Sequence, residues 1–397
     1  MNYKNKKKIA LVLSGGGIKA AAFHLGACLA LQHKGFVFMG GPKGHVTHQE
    51  NTDKTFYIKS YVGSSAGAFV ASILSAGYSV ESLINAFQIG IGGRDLLKKG
   101  DPEYLKPLSY RNIFSLNQSG LLNFLPNSFV NHSLITGGLE VLLKKGFKWN
   151  GLFSTKGLES YLRKDALIVN DFSNLDVDLF ITATQLNHTR KVIFGNFKNA
   201  NKTGTTKYIN YASISQAVAC SAALPVFFSP YGLKRPDGKE IHYYDGEIRD
   251  TLSTHVAVDH GADLVISSYS IQPYHYTEAI GSLHKFGLPV LLNQALYQVI
   301  EQKISKHIQD TENHKNLYNN VKKLLDSTTL DTGLKSKVLD EIVLKTHHRV
   351  GVDYLYIHPR PQDHQMFFVD HFSLNSKILE KIIRIGFKSA LRSLREA

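Results

Sequence analysis

Residues 9–20 read IALVLSGGGIKA, and this stretch decides the fold. Five apolar residues, ended by Ser14 and three glycines, are typical of a strand that is buried on both faces in a parallel sheet. The segment 18–34 is rich in alanine and leucine and predicts a helix that stops at Gly35. A lysine-rich start before an apolar run also imitates a secretory signal. Because the run breaks at the glycines, we interpret it as a first strand that stays in the protein.

The same order of strand, glycine turn and helix recurs further along the chain. Tyr57–Val62 predicts a second strand, which leads through GSSAG at 63–67 into a helix of small residues, Ala68–Ala76. Leu179–Thr184 and Asp263–Ser268 predict two more buried strands. Strands that alternate with helices predict an α/β fold with a mostly parallel central sheet.

Less regular segments separate and follow these elements. Residues 36–56 are polar and glycine-rich and predict a surface insertion. Residues 92–150 mix leucine and phenylalanine with loop formers, and we favour a cap over a lipid-binding cleft above ordinary helices that cover the sheet. Residues 280–349 predict charged helices, and residues 373–394 predict one long helix. The organisation expected is a catalytic domain at 8–275, with surface insertions at 36–56 and 92–150, completed by a mainly helical region at 276–397.

Composition limits the class of protein and of partner. With 397 residues, 43% of them hydrophobic and 20% charged, the chain belongs to the globular class. Its formal net charge of +14 favours an anionic partner, either nucleic acid or an anionic membrane surface, although a merely basic soluble protein fits the charge equally well. No recognition motif of aromatic and basic residues is present, so nucleic acid is not expected.

Cysteine, histidine and hydropathy patterns exclude several further classes. Cys28 and Cys220 lie in apolar runs without a CxxC spacing, which predicts buried free thiols and is compatible with a reducing compartment. The 18 histidines show no metal-ligand spacing, so we expect no metal and no cofactor. No apolar run reaches about 18 residues, so a transmembrane helix is not expected. We expect a cytoplasmic protein, peripheral on membranes, and secretion by a route without a signal peptide stays open.

The motif Gly63-x-Ser65-x-Gly67 has the spacing of a nucleophile elbow. A sharp turn from strand to helix crowds the backbone, and glycines two positions before and after the serine relieve that crowding. The turn would project the Ser65 hydroxyl outward at a helix N-terminus. A tight structural turn remains the alternative. Ser64 lacks the flanking glycines at the required spacing.

The glycine-rich loop after the first strand is open to two interpretations. Its backbone amides at Gly15, Gly16, Gly17 and Ile18 could converge on an anion, as in an oxyanion hole. The same loop also satisfies G-x-G-x-x-A, which is a dinucleotide-binding pattern. That pattern calls for an acidic residue about 20 positions further on, and residues 36–46 offer none. Lys19 could orient the loop through backbone carbonyls, or it could be an exposed lysine at a helix start.

A third candidate motif is the pair Asp245-Gly246, which follows a strand-like run. A serine hydroxyl needs a neighbour that accepts its proton, and a carboxylate can do so in a desolvated site. Alone, an Asp-Gly pair is a common turn.

In this order the three motifs resemble the patatin-like phospholipases, whose pattern is a GGGx[RK]G loop, a GxSxG elbow and a later DG[GA]. Here they are GGGIKA at 15–20, GSSAG at 63–67 and DGE at 245–247, and the stretches 178–195 and 219–230 also look like the family. The resemblance implies a three-layer fold similar to the catalytic domain of cytosolic phospholipase A2.

The resemblance also implies a Ser–Asp dyad without a catalytic histidine. Ser65 would be the nucleophile and Asp245 the general base, with Gly16 and Gly17, joined by Gly15 and Ile18, as the oxyanion hole. Supporting roles would fall to Lys19, Gly63, Gly67 and Gly246. The activity implied is lipid acyl hydrolysis of phospholipase A or lysophospholipase type, with an acyl-serine intermediate and phospholipid or related esters as substrates. A carboxylesterase for soluble substrates and a nucleotide-binding protein are the alternatives.

Two positions depart from the family pattern. Ala20 replaces the last glycine of the first motif, and Glu247 replaces the small residue after Asp245-Gly246. A second carboxylate there could raise the pKa of Asp245 by like-charge coupling, or it could point into solvent.

The last predicted helix carries a basic face. Its cationic residues recur at steps of three and four: Lys377, Lys381, Arg384, Lys388, Arg392 and Arg395. Such a helix can lie on an anionic bilayer. Alternatively, it packs on the core with its charged face in solvent.

Overall fold

The computed structural model describes residues 6–44, 56–89, 101, 104–116, 151, 153–188, 190–198, 202–225 and 227–397. Its strands in chain order are β1 (Ile9–Leu13), β2 (Phe36–Phe38), β3 (Phe56–Ser64), β4 (Ser115–Leu116), β5 (Phe153–Ser154), β6 (Asp178–Gln185), β7 (Arg190–Phe194), β8 (Lys202–Thr203), β9 (Thr206–Ile209), β10 (Tyr231–Lys234), β11 (Glu240–Asp245), β12 (Leu264–Ser268) and β13 (Asp353–Ile357).

The α-helices of the described residues include one of 39 residues and several of a single turn. They are α1 (Gly17–His33), α2 (Ala66–Ser75), α3 (Val80–Ala86), α4 (Tyr110–Ile113), α5 (Lys156–Tyr161), α6 (Ile214–Ser221), α7 (Thr254–Asp259), α8 (Leu288–Asp326), α9 (Thr332–Thr346), α10 (Gln365–Phe368) and α11 (Ser376–Glu396).

Eleven of the described strands form one mixed sheet in the order β13-β12-β1-β3-β6-β7-β9-β8. The five strands from β13 to β6 are parallel to their neighbours, whereas β7 is antiparallel to β6. β2 lies beside the first part of β3, and β11, followed by β10, lies beside the end of β6. The fold is therefore a three-layer α/β fold with a mostly parallel central sheet, as the sequence predicted.

The core lies on both faces of this sheet. Successive side chains of β1 alternate between the two faces, so that Ile9, Leu11 and Leu13 join the larger cluster, and Ala10 and Val12 join the smaller one. All five are at most 2% exposed. An uninterrupted apolar run is what a strand covered on both faces requires, which explains IALVL.

Helices α1 and α11 approach each other at glycines. A Cβ added to Gly26 would overlap the carbonyl oxygen of Ile383, and one added to Gly386 would overlap that of Phe23. The two backbones therefore touch, and any side chain at either glycine would force the helices apart. This contact fixes the terminal helix on the helix that follows the glycine-rich loop.

The segments predicted as insertions have mixed outcomes. The surface insertion expected at 36–56 is wrong at both ends, because Phe36–Phe38 forms β2 and Phe56 begins β3, which lies alongside it in the sheet. Residues 45–55 lie outside the described residues. Of the expected cap at 92–150, residues 101 and 104–116 are described, and the leucine and phenylalanine residues at 121–129 lie outside.

The region 276–397 contributes to the sheet as well as to the helical layers. Its helices α8 and α9 lie where charged helices were predicted, and β13 pairs in parallel with β12. The division of the chain near residue 275 stays a prediction. Cys28 and Cys220 are buried and free, as predicted. In the part of the chain that the structure describes, no helix is long and apolar enough to cross a bilayer.

Candidate active site

Ser65 occupies a strained turn between β3 and α2. Its φ of 51° and ψ of −117° place it in a region that residues with a side chain rarely adopt. Backbone strain of this kind costs about 1–3 kcal/mol and persists where the surrounding fold imposes it. The side chain is buried except for 8% of its surface.

The two glycines of the elbow are required by close approach. A Cβ on Gly63 would lie 2.5 Å from the Ala68 Cα, and one on Gly67 would overlap the carbonyl oxygen of Leu13 on β1. The GxSxG spacing therefore reflects contacts inside the turn and between α2 and the central strand.

Ser221 on α6 holds the backbone of the turn. The Ser65 amide donates to the Ser221 hydroxyl oxygen at 2.7 Å, and that hydroxyl donates to the Thr182 carbonyl oxygen at 2.6 Å. The Ser65 amide therefore already has an acceptor in the fold and is not free to bind a substrate.

Strand register brings Asp245 to the elbow. On β6, Thr182 pairs with Ser64 of β3, and the next residue, Ala183, pairs with Asp245 of β11. The end of β11 therefore meets the end of β3. Gly246 permits this approach, because a Cβ there would lie 2.5 Å from the Thr182 carbonyl oxygen.

Asp245 is 2% exposed, and burial raises its pKa from 3.8 to about 6. Hydrogen bonds from the Ser65 side chain and from the Glu247 amide, the latter 2.9 Å from Oδ1, oppose this rise. The carboxylate is therefore a stronger base than an exposed aspartate, and it is still mostly ionised at pH 7.

The glycine-rich loop packs directly against Ser65. A Cβ on Gly15 would lie 2.9 Å from that of Ser65, so only glycine fits there. The amide of Gly15, predicted to join the oxyanion hole, instead donates to Glu247 Oε1 at 2.7 Å. It is not available to a substrate.

Three amides after Gly15 remain as donors. Gly16 and Gly17 have φ values of 131° and 72°, and α1 begins at Gly17 with Ile18 as its second residue. Amides in the first turn of a helix have no partner within the helix. Among the described residues, the amides of Gly16, Gly17 and Ile18 have no hydrogen-bond acceptor.

Glu247 lies inside the site. Its side chain is buried, so the alternative that it points into solvent is wrong. Burial, and then the charge of Asp245, raise its pKa to about 8. Like-charge coupling thus acts on Glu247, which is the second of the two carboxyls to ionise and is mainly neutral at pH 7.

Replacing Glu247 with glutamine is expected to alter the pH dependence of hydrolysis. Ionisation near pH 8 places a second negative charge beside the loop, which opposes the charge of an oxyanion. The kcat/KM of the wild type should therefore fall above about pH 8, and Glu247→Gln should keep its activity there because its amide oxygen still accepts from Gly15. Both proteins should lose activity below about pH 6 as Asp245 protonates.

The control for this measurement is Glu247→Ala, which removes the acceptor of the Gly15 amide. It should lower kcat/KM at every pH because the loop loses its contact with Glu247. An alkaline decline of equal size in the wild type and in Glu247→Gln would contradict the assignment.

Lys19 is buried, so the alternative of an exposed lysine is wrong. Its ammonium donates to the Met366 carbonyl oxygen at 2.6 Å and to the Tyr297 hydroxyl at 2.7 Å. It therefore reaches a backbone carbonyl, but one in α10 and not in the glycine-rich loop. Burial lowers its pKa to about 7, against the opposing effect of Asp370.

His371 borders the loop through its backbone. Its carbonyl oxygen accepts the Lys19 amide at 3.3 Å, and a Cβ on Gly17 would lie 2.5 Å from the same oxygen. The ring Nε2 is 2.7 Å from the Tyr297 hydroxyl. Burial, and then Lys19, lower the pKa of this imidazole to about 3, which makes it a poor proton acceptor.

An apolar cavity of about 70 Å³ opens beside Ser65. Most of its walls are aliphatic or aromatic, and they come from α1, the elbow and α2, and from residues in or near α3, α4, α5, α6 and α10. The lining residues are Gly17, Ile18, Ala21, Ser65, Ala66, Phe69, Phe87, Leu108, Ile113, Thr155, Leu158, Ala222, Phe228 and Phe372.

Several residues at the site had no signal in the sequence. Ser221 lies in a stretch quoted for the family resemblance but carried no assigned role. Tyr297 and Met366 contact the Lys19 ammonium from 278 and 347 positions away along the chain. His371 borders the loop and shares Tyr297 with Lys19 as a hydrogen-bond partner. No group of three or more metal-ligating side chains occurs in the described part of the chain.

A serine elbow at the end of a central parallel strand, next to a glycine-rich loop at a helix start, places the chain in a class of three-layer α/β proteins. The family model of patatin-like phospholipases matches residues 11–258, more than half of the chain. The chain therefore belongs to the patatin-like phospholipase family, and the resemblance drawn from the three motifs is confirmed. Family membership gives a hydrolase of lipid acyl esters as the general class of activity. A search among curated proteins found no match to the chain.

Proposed function

We propose that this chain is a phospholipase A or lysophospholipase that acts through Ser65 and Asp245. One observation carries the proposal: the strained Ser65 turn, the buried Asp245 carboxylate and an apolar cavity meet at one point of the fold. A serine is activated when a neighbouring base accepts its proton, and the raised pKa of Asp245 suits that role.

In the first half of the proposed reaction, Asp245 accepts the hydroxyl proton while Ser65 Oγ attacks the ester carbonyl carbon. The negative charge that develops on the carbonyl oxygen is bound by the amides of Gly16, Gly17 and Ile18. When the intermediate collapses, the ester C–O bond breaks and the proton passes from Asp245 to the leaving alcohol. In the second half, water attacks acyl-Ser65, Asp245 accepts its proton, and the fatty acid leaves as Ser65 recovers its hydrogen.

The apolar lining of the cavity suits an acyl group, and the exposed aromatic surface beside it favours a lipid aggregate over a small soluble ester. Leu108, Ile113, Phe228 and Phe372 offer apolar surface to an acyl chain, and burying each methylene contributes about 0.8 kcal/mol. Phe227, which is 44% exposed, packs near Phe372 with ring centroids 5.3 Å apart. The neighbourhood of the cavity therefore presents aromatic surface that a lipid aggregate can contact.

Contact with an anionic membrane is part of the proposal, but the terminal helix cannot insert. The apolar face of α11 is used by the fold, since Leu379, Ile382, Ile383 and Ala390 are buried against the core. Its exposed side chains include five cations, so this helix would act through charge and not through apolar insertion: Lys377, Lys381, Arg384, Lys388 and Arg395.

The surroundings of the loop disfavour the nucleotide-binding alternative. A pyrophosphate would lose the Gly15 amide, which is bonded to the Glu247 carboxyl, and its charge would lie beside the buried carboxyl groups of Asp245 and Glu247.

The rate of hydrolysis across the aggregation threshold of the substrate tests the proposal. With a diacyl phospholipid or lysophospholipid, the rate should rise sharply once micelles form, and mass spectrometry should detect free fatty acid. With a short-chain ester that stays monomeric, the rate should increase smoothly. Ser65→Ala supplies the background in every assay. A preference for the monomeric ester, with no rise on micelle formation, would favour the soluble-substrate carboxylesterase instead.

A further inference from the structure

A second, larger cavity of about 880 Å³ opens on α11. It shares no lining residue with the cavity at Ser65. Its walls are α11 and the segment that contains Arg360, Asp363 and Gln365. Six cationic side chains line it: Arg360, Lys381, Arg384, Lys388, Arg392 and Arg395.

Few of these charges are neutralised. The carboxylates in the lining are Asp363 and Glu396, which leaves a surplus of four positive charges. Within the described residues, the side chains of Lys381, Lys388 and Arg395 form no ion pair with a carboxylate.

The two remaining arginines of α11 are held in place. Arg384 pairs with Glu380 of its own helix at 2.7 Å, and Arg392 donates to the His358 carbonyl oxygen at 2.6 Å. Burial, and then the charge of Arg360, lower the pKa of Arg392, so these two like charges repel each other. An anion would relieve that repulsion.

The fold fixes the helix that carries the cations. Helix α11 cannot shift easily, because its backbone touches that of α1 at Gly26 and Gly386. Cations at steps of three or four along one helix point to the same side, and here that side faces Arg360 across the cavity. A ligand would meet a fixed helix on which Arg384 and Arg392 are already held by their partners, which lowers the entropic cost of binding.

We propose that this cavity is a binding site for a phosphate-bearing anion. The planar arginine fork matches two phosphate oxygens at once, and lysine adds point charges around them. Six cations that converge on one concave surface suit a compact multivalent anion, whereas a nucleic-acid strand needs an extended basic track. The proposal goes beyond ester hydrolysis and does not rest on it.

Calorimetric titration of the full chain with inorganic pyrophosphate at low salt tests the site. The wild type should bind one equivalent saturably. Lys388→Gln/Arg395→Gln should bind at least tenfold more weakly. The matched control is Lys322→Gln/Lys337→Gln, which removes the same charge from the exposed faces of α8 and α9 and should change affinity less than twofold. Thermal unfolding without ligand verifies that both variants fold.

A second arm distinguishes a lipid headgroup from a free phosphate anion. Vesicles of diether phosphatidylcholine with diether phosphatidic acid carry no acyl ester, so the enzyme cannot consume them. Binding that pyrophosphate displaces, and that only the cavity variant loses, identifies a headgroup. Saturable pyrophosphate binding without vesicle binding identifies a free anion. Absence of saturable pyrophosphate binding to the wild type, or equal weakening in both double variants, would overturn the proposal.

Discussion

Replacing Ser65 with alanine is expected to lower kcat/KM for ester hydrolysis by about 10⁴-fold or more, because removing a catalytic serine costs up to about 10⁶-fold. No other group can form the acyl intermediate if Ser65 is the nucleophile. The measurement is release of fatty acid, combined with labelling by a fluorophosphonate and mass spectrometry of the labelled peptide. Label should appear on the wild type at Ser65 and be absent from the variant.

The adjacent hydroxyl provides the matched control. Ser64 is buried like Ser65, but it ends β3 in extended strand pairing and not in the strained turn. Ser64→Ala should keep activity within about threefold and should still be labelled. If Ser64→Ala were inactive and Ser65→Ala active, the nucleophile would have been assigned to the wrong residue.

The serine elbow could be predicted because its causes are local. The strand before Ser65, the glycines around it and the helix after it are neighbours in sequence, and the same is true of β1 and the glycine-rich loop. Asp245 differs, since it meets the elbow only through the pairing of β11 with β6. Its local sequence is a common turn, and it was identified from the order of three motifs.

The sequence failed where a side chain has two plausible environments. From the sequence, the side chains of Lys19 and Glu247 could each have been exposed to solvent. In the fold both are buried, because Lys19 binds Met366 and Tyr297, and Glu247 accepts a hydrogen bond from the Gly15 amide. These partners lie between 232 and 347 positions away along the chain. Periodicity and spacing report neighbours within a few residues, so contacts at such separations leave no trace in them.

The missed strand β2 has another cause. It is three residues long and follows a glycine, at the start of a segment dominated by polar residues and glycine. A run this short carries no measurable alternation, and its pairing with β3 alone defines it.

Asp245→Asn is expected to lower kcat/KM by about 10³-fold, since positioned acid–base catalysis contributes about 10²–10⁴-fold. Asparagine keeps the shape of the side chain, and its oxygen can still accept the hydrogen bond from the Glu247 amide. It cannot take the proton of Ser65. In the wild type, activity should rise with pH through about 6 as Asp245 ionises. The variant should lose this rise, together with most of its fluorophosphonate labelling rate.

The stability of the same variant separates a catalytic role from a structural one. Burial raises the pKa of Asp245 from 3.8 to about 6, so folding is opposed once the carboxylate must ionise. The native protein is therefore destabilised progressively between about pH 4 and pH 6, and at pH 7 the penalty is roughly 3 kcal/mol. Asp245→Asn removes the charge and should unfold at the same or a higher temperature at pH 7 while being nearly inactive. Asp237→Asn, at an exposed ion pair with Arg235, should change neither property. A lower unfolding temperature in proportion to the lost activity would instead make Asp245 a structural residue.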